Sequence, residues 1–182
     1  MKKITALILS LILVCMTACA AKPGQPERKF EIVVVPADAD APEAEPMAQG
    51  VKAYNETDDT INAYQTKSQV PPDLQVPLVE DLIAQEVDAI CVVPVDETAL
   101  DPMLQKAQEQ GIVVVSYGGE NLEYTDYDIE AALEPEQIGQ TMVAVAAKAL
   151  HGEKLTDPVT VSMDGVPALH FREGSTVILD AE

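Results

Sequence analysis

The sequence predicts an α/β fold, a doubly wound parallel sheet followed by a short β-rich tail. Two observations carry that prediction. Short Val- and Ile-rich runs recur between residues 31 and 115, apolar nearly throughout, as in strands covered on both faces of a parallel sheet. Segments of helical period lie between them, and strand–helix–strand at these spacings gives right-handed crossovers.

Residues 1–19 stand apart from the fold as a targeting segment. Lys2 and Lys3 open it, and Ile4 to Met16 is an apolar run broken only by Thr5 and Ser10. That run is shorter than the roughly 20 residues a membrane span needs. It ends in Met16-Thr17-Ala18-Cys19, a small-residue cleavage site with cysteine immediately after it. The arrangement resembles the bacterial lipobox, with Met16 where Leu or a similar aliphatic residue usually stands. Cys19 is therefore expected to become the acylated N-terminus, holding the chain on the outer side of a membrane. A plain signal peptide with an incidental cysteine is the alternative. Residues 20–29 contain Pro23, Gly24 and Pro26 without any apolar period, and read as a flexible tether.

The fold proper is expected from residue 30, with a ligand-binding lobe over 30–127. Glu31–Val35 is the first strand, ended by Pro36. Pro42 to Asn55 follows as a helix, with Met47, Val51 and Tyr54 at helical spacing and Asp40 as candidate cap. Thr60–Tyr64 is a weaker strand. Asp73–Gln85 is a strong helix whose apolar stripe is Leu74, Leu78, Leu82 and Ile83. Asp88–Val93 is a buried strand, Leu100–Gln110 a helix closed by Gly111, and Ile112–Val115 another aliphatic strand. Residues 128–182 form the rest. Asp128–Leu133 is a short strand, and Glu134–Leu150 a helix with Pro135 near its start. The tail reads as β structure at Val159–Met163, Ala168–Phe171 and Thr176–Leu179, with turns at Asp164-Gly165 and Glu173-Gly174.

Charge excludes some functions. The chain carries 31 acidic residues against 11 basic ones, a net charge of −20, and all the acidic residues lie beyond Cys19. Such a field repels phosphate backbones, so nucleic acid is not an expected partner. Of three cysteines, Cys15 goes with the signal and Cys19 is the lipidation site. Cys91 sits in an apolar run, where a core side chain is expected and no basic neighbour activates the thiol. His151 follows a helix end and His170 lies in the tail, without metal-ligand spacing. No GxSxG, P-loop, GxGxxG or HExxH motif is present, so neither catalysis nor a cofactor or metal is expected.

In an open parallel sheet, ligands bind beyond the carboxyl ends of the strands. There the chain offers Asp38 and Asp40 after the first strand, and Pro94 and Asp96 after the third. Tyr117, Glu120 and Asn121 follow the fourth. Carboxylates and amides hydrogen-bond hydroxyl groups, and Tyr117 suits the apolar face of a sugar ring. Plainer readings stand beside these. Asp96 and Thr98 fit helix caps, Asp38 and Asp40 solvated loop residues, and Gly118-Gly119 a simple turn.

The stretch Phe30 to Gly152 resembles the type I periplasmic sugar-binding proteins of ABC transporters, particularly the branch with rhamnose- and autoinducer-2-binding members. Val79 to Ile90 (VEDLIAQEVDAI) is close to a pattern that family writes "iedLIaqgvdAI". Val92-Val93-Pro94, Asp96, Leu100, Pro102, Leu104, Lys106-Ala107 and Gly111 to Val114 continue in register. The resemblance implies a sugar-like ligand, a two-lobe clamp and a membrane permease as partner. It places the contacts in the loops at Asp38–Asp40, Pro94–Asp96 and Tyr117–Glu120. The chain departs from the pattern in three places. The first loop has only Asp and Ala where Lys, Asn or an aromatic residue is usual. Gly118 stands where Asp or Glu usually follows the aromatic residue, and the family needs about twice this length. Residues 128–182 are accordingly expected as a remnant of the second lobe and the C-terminal segment. The expected function is that of a substrate-binding lipoprotein. The alternatives are a surface interaction protein reusing one lobe without ligand, or a relative that no longer functions.

Overall fold

The computed structural model describes residues 28–66, 74–130, 132–153 and 155, together with the backbone of three later strands. Cys19 and the signal segment, nearly all of the tether, and the two tail turns fall outside these residues.

Among the described residues, six strands run parallel. In chain order the first five are β1 (Phe30–Val35), β2 (Ile61–Gln65), β3 (Ala89–Val92), β4 (Val113–Tyr117) and β5 (Tyr127–Glu130). The sixth is β8 (Thr176–Ile178), the last of three tail strands after β6 (Val161–Met163) and β7 (Val166–Phe171). The sheet order is β2-β1-β3-β4-β5-β8-β7-β6, and only the β8–β7 and β7–β6 pairings are antiparallel. Helices α1 (Ala44–Asn55), α2 (Gln75–Ala84), α3 (Glu97–Glu109) and α4 (Pro135–Leu150) cover the sheet.

Alternation along β1 shows why its whole run is apolar. Ile32 and Val34 join a cluster with Met47 and Val51 of α1 and Met142 of α4. Val33 and Val35 point the other way, into a cluster with Val79 and Leu82 of α2 and Leu100 and Leu104 of α3. All four β1 residues are at most 1% exposed. The sheet is therefore sandwiched between two helical layers, as expected for strands with no polar face.

The layer of α1 and α4 is held by backbone approach. A Cβ on Gly139 would lie 2.1 Å from the Met47 carbonyl oxygen, and one on Gly50 would lie 1.9 Å from that of Glu136. Only glycine fits at either crossing point. α4 is buried on nearly every side, with Thr141 to Ala147 all shielded. An all-round apolar helix needs cover on all sides, which is why it lies against β1, β3 and β4 as well as α1.

β5 pairs with β4 in this sheet, and α4 packs on the same face as α1. Two expectations change. Helix α1 begins at Ala44 after Glu43, so Asp40 does not cap it; the Asp38 carboxylate instead accepts the Asp40 amide in a local turn. Leu74 is 43% exposed, and the buried side of α2 is Gln75, Val79, Leu82 and Ile83. Cys91 is fully buried as expected, and burial pushes its thiol pKa far up.

Because each helix runs opposite to its strands, all four helix C-termini lie at the sheet's amino edge. α3 and α4 end in left-handed glycines, Gly111 (φ 80°) and Gly152 (φ 75°). After α2 that conformation falls on Glu86 (φ 57°), where the family pattern has glycine. A side chain there is strained by about 1–2 kcal/mol.

Candidate ligand-binding site

The parallel strands deliver the loops after β1, β3 and β4 to one edge, where the helix N-termini also lie. These loops are tied together by side chains. Gln75, 5% exposed at the start of α2, donates from Nε2 to the Val93 carbonyl at 2.8 Å and the Pro36 carbonyl at 3.4 Å. Its Oε1 accepts the Val95 amide at 3.0 Å. One amide thus pins the β1 loop to the β3 loop. Asn121 Nδ2 donates to Glu97 Oε2 at 2.7 Å, joining the β4 loop to the start of α3. The Asp101 carboxylate accepts the amides of Glu123 and Tyr124 and anchors the far half of the β4–β5 connection on α3.

Asp38 and Asp40 are exposed at the β1 loop. Pro94 is half-buried, and Val95 beside it is 44% exposed, close in sequence to the Gln75 tie. Asp96 caps α3, its Oδ1 accepting the Ala99 amide at 3.0 Å, while the residue itself remains exposed. Tyr117 closes β4 half-buried, packed against the cluster beneath α1 and α4. Glu120 is exposed in the turn that follows. The structure therefore brings Pro94, Asp96 and Asn121 into one connected edge, through Gln75 on one side and Glu97 on the other. Asp38 and Asp40 flank it on a local turn of their own.

Gln75 and Asp128, both buried at this edge, have no counterpart among the sequence candidates. The signal for Gln75 was weak but present, since it holds the first place of the stripe Gln75, Val79, Leu82. Asp128 lies 4% exposed in β5, opposite Ser116 in the parallel register. Nothing local distinguishes it from the other carboxylates of so acidic a chain.

A cleft of about 680 Å³ runs beside α1 along the outer edge of β2, lined in part by Asp40, Glu45, Lys52, Asn55, Tyr64 and Gln65. It reaches the candidate edge around Ala39–Ala41 and at Ala44 and Glu45. Burial, and a hydrogen bond from Tyr64 to the Glu31 carboxylate, push the Tyr64 phenol up to about 12. Among the described residues, no group of three or more His, Cys, Asp or Glu side chains is placed to hold a metal ion. Nor is any described helix long and apolar enough to cross a membrane.

A family model described as a periplasmic binding protein domain matches residues 32–175. No curated protein matches the chain. Solved structures share the fold. A solute-binding protein of an ABC transporter from Burkholderia graminis, in complex with D-arabinose, is 23% identical with a TM-score of 0.52 over 71% of this chain and 44% of that one. Another, from Clostridium phytofermentans with bound L-rhamnose, is 25% identical with a TM-score of 0.50 over 69% and 39%. LsrB from Clostridium saccharobutylicum, in complex with AI-2, is 20% identical with a TM-score of 0.51 over 71% and 39%. The chain spans less than half the length of each.

Proposed function

The chain belongs to the periplasmic binding protein domain family, and from that premise we propose that it supplies one lobe of a receptor for a sugar or a sugar-like signal such as AI-2. The observation that carries this reading is the edge tied by Gln75 and by the Asn121–Glu97 pair. Ordered loops there present carboxylates to hydroxyl groups and apolar side chains to a ring face. Pre-ordered loops also lower the entropy lost on binding. In this reading Asp38, Asp40, Pro94, Asp96, Tyr117, Glu120 and Asn121 are the contact set. Cys19 anchors the protein by lipid outside the cytoplasm, and an ABC permease receives the ligand.

A clamp of two lobes buries about 70–90% of a small ligand. One lobe with half of a micromolar binding energy would act near millimolar, about −4 kcal/mol. The test is therefore a thermal unfolding panel of sugars at about 10–50 mM, since a ligand that binds only the native state must raise the transition. Stabilisation by a subset of sugars, lost in Glu120→Ala and Asp38→Ala, supports the reading; an indifferent panel removes it. Palmitate labelling that disappears in Cys19→Ala tests the anchor.

The exposure of the apolar side chains Leu74 and Val95, which flank Gln75 at this edge, favours a second reading, in which the lobe binds a partner protein at the cell surface. A pull-down partner whose binding survives Tyr117→Ala and Asp96→Ala, together with an indifferent sugar panel, would select it.

A further inference from the structure

We infer that Asp128 is a positioning residue for the β4–β5 loop, setting the backbone on which Tyr117, Glu120 and Asn121 stand. This deepens the receptor reading and rests on it for its link to ligand.

Ser116, fully buried at the end of β4, donates its hydroxyl to Asp128 Oδ1 at 2.6 Å. The Gly119 amide donates to the same oxygen at 2.9 Å. One carboxylate oxygen thus holds the last turn of the strand and the first turn of the loop together. Charge-assisted bonds of this length are about twice as strong as neutral ones. The other oxygen, Oδ2, is buried and has no hydrogen-bond partner among the described residues. Burying a carboxylate incompletely satisfied is unfavourable, so its presence calls for a compensating role.

The loop around it admits little alternative. Gly118 turns the chain at φ 70°, a conformation that side chains rarely adopt. A Cβ on Gly119 would meet Leu122 Cδ1 at 2.7 Å and the Ser116 side chain at 3.0 Å. The Leu122 amide closes the turn on the Gly119 carbonyl at 3.0 Å. Gly119 is therefore packed onto Ser116 and bonded to Asp128 at once, and the exposed Glu120 and Asn121 follow directly. The loop's outer tie, Asn121 to Glu97, is solvent-exposed and correspondingly weak. The inner carboxylate is the principal constraint on where these two side chains point.

Amide hydrogen exchange on the full chain tests this without any ligand. In Asp128→Ala, exchange at Gly119 and Glu120 should accelerate at least tenfold while β1 and β3 change less than twofold. Asp128→Asn keeps the accepting oxygen and should return Gly119 to within threefold of wild type. Ser116→Ala, a milder change that leaves the Gly119 bond in place, should give an intermediate acceleration and serves if Asp128→Ala does not fold. Unchanged Gly119 protection, uniform acceleration across the sheet, or no rescue by Asn would each overturn the inference. Calorimetric titration with L-rhamnose adds the link to ligand: a tenfold weakening in Asp128→Ala, restored by Asn, is expected. Equal L-rhamnose affinity in wild type and Asp128→Ala would overturn that link. Absence of binding to wild type would count against the receptor reading, and exchange would still decide the role of Asp128.

Discussion

The two edges of the sheet are fastened by different physics. At the carboxyl edge the loops are tied by buried polar groups: Gln75 between the β1 and β3 loops, and Asp128 with Ser116 under the β4 loop. At the amino edge part-buried acceptors, Asp88 for the Glu31 amide and Asp126 for the Val114 amide, stand beside solvent-facing ion pairs. Arg28, 68% exposed, pairs with Asp88; His151 lies 3.3 Å from Asp58; Lys148 pairs with Glu153. Exposed pairs contribute about 0–1 kcal/mol, whereas a buried group stripped of its partner costs about 1–3 kcal/mol. The carboxyl edge thus rests most on two buried side chains, Gln75 and Asp128, whereas the ion pairs of the amino edge are open to water.

Substitutions at each edge put that contrast at risk. Gln75→Ala strands the Val95 amide and two carbonyls, so urea unfolding should show a loss of about 2–3 kcal/mol. A loss below about 0.5 kcal/mol would make the two edges equivalent. Glu86→Gly relieves the left-handed residue after α2 and should raise stability by about 0.5–1 kcal/mol, after the entropy glycine adds to the unfolded chain. No gain there would mean that the amino edge is better adapted than it looks.

A smaller effect is expected from Asp58. Partial burial alone would raise its pKa, but hydrogen bonds from the Thr60 hydroxyl and amide and from His151 outweigh it and hold the carboxyl below the ordinary aspartate range. A depressed folded-state pKa contributes stability above the unfolded value, about 3.9, and loses it as the pH falls through the lower folded value. Asp58→Asn should therefore flatten the stability profile below about pH 4, as read by unfolding midpoints in acid. An unaltered slope would remove this tie from the comparison. Least of all, Arg28→Ala should change the midpoint by no more than about 0.5 kcal/mol, and less still in high salt.

The contrast also marks how far the sequence could be read. The aliphatic strands β1, β3 and β4 were legible because runs such as Ile32–Val35 and Ala89–Val92 have no polar face to show to water, whereas β2 and β5, which carry Asn62 and Asp128, read more weakly. Asp96 was legible as a helix cap, since a cap and its partner amide are three residues apart. Asp40 misled as a cap because the same residue type also makes local turns, and Leu74 misled because the stripe of α2 begins one residue later. The acidic residues read mainly as a net negative charge. Several are structural acceptors for backbone amides: Asp88 for Glu31, Asp101 for Glu123 and Tyr124, Asp126 for Val114, Asp128 for Gly119.

Patterning alone determined the layered α/β core and the edge at which loops gather, because burial of apolar surface depends on period and period is local. Only the tertiary structure decided that β5 and α4 complete this same layer, that Gly50 and Gly139 let two helices touch, and that Gln75 and Asp128 fasten the loops. Those outcomes depend on partners many residues away, whose proximity is created by the packed sheet itself.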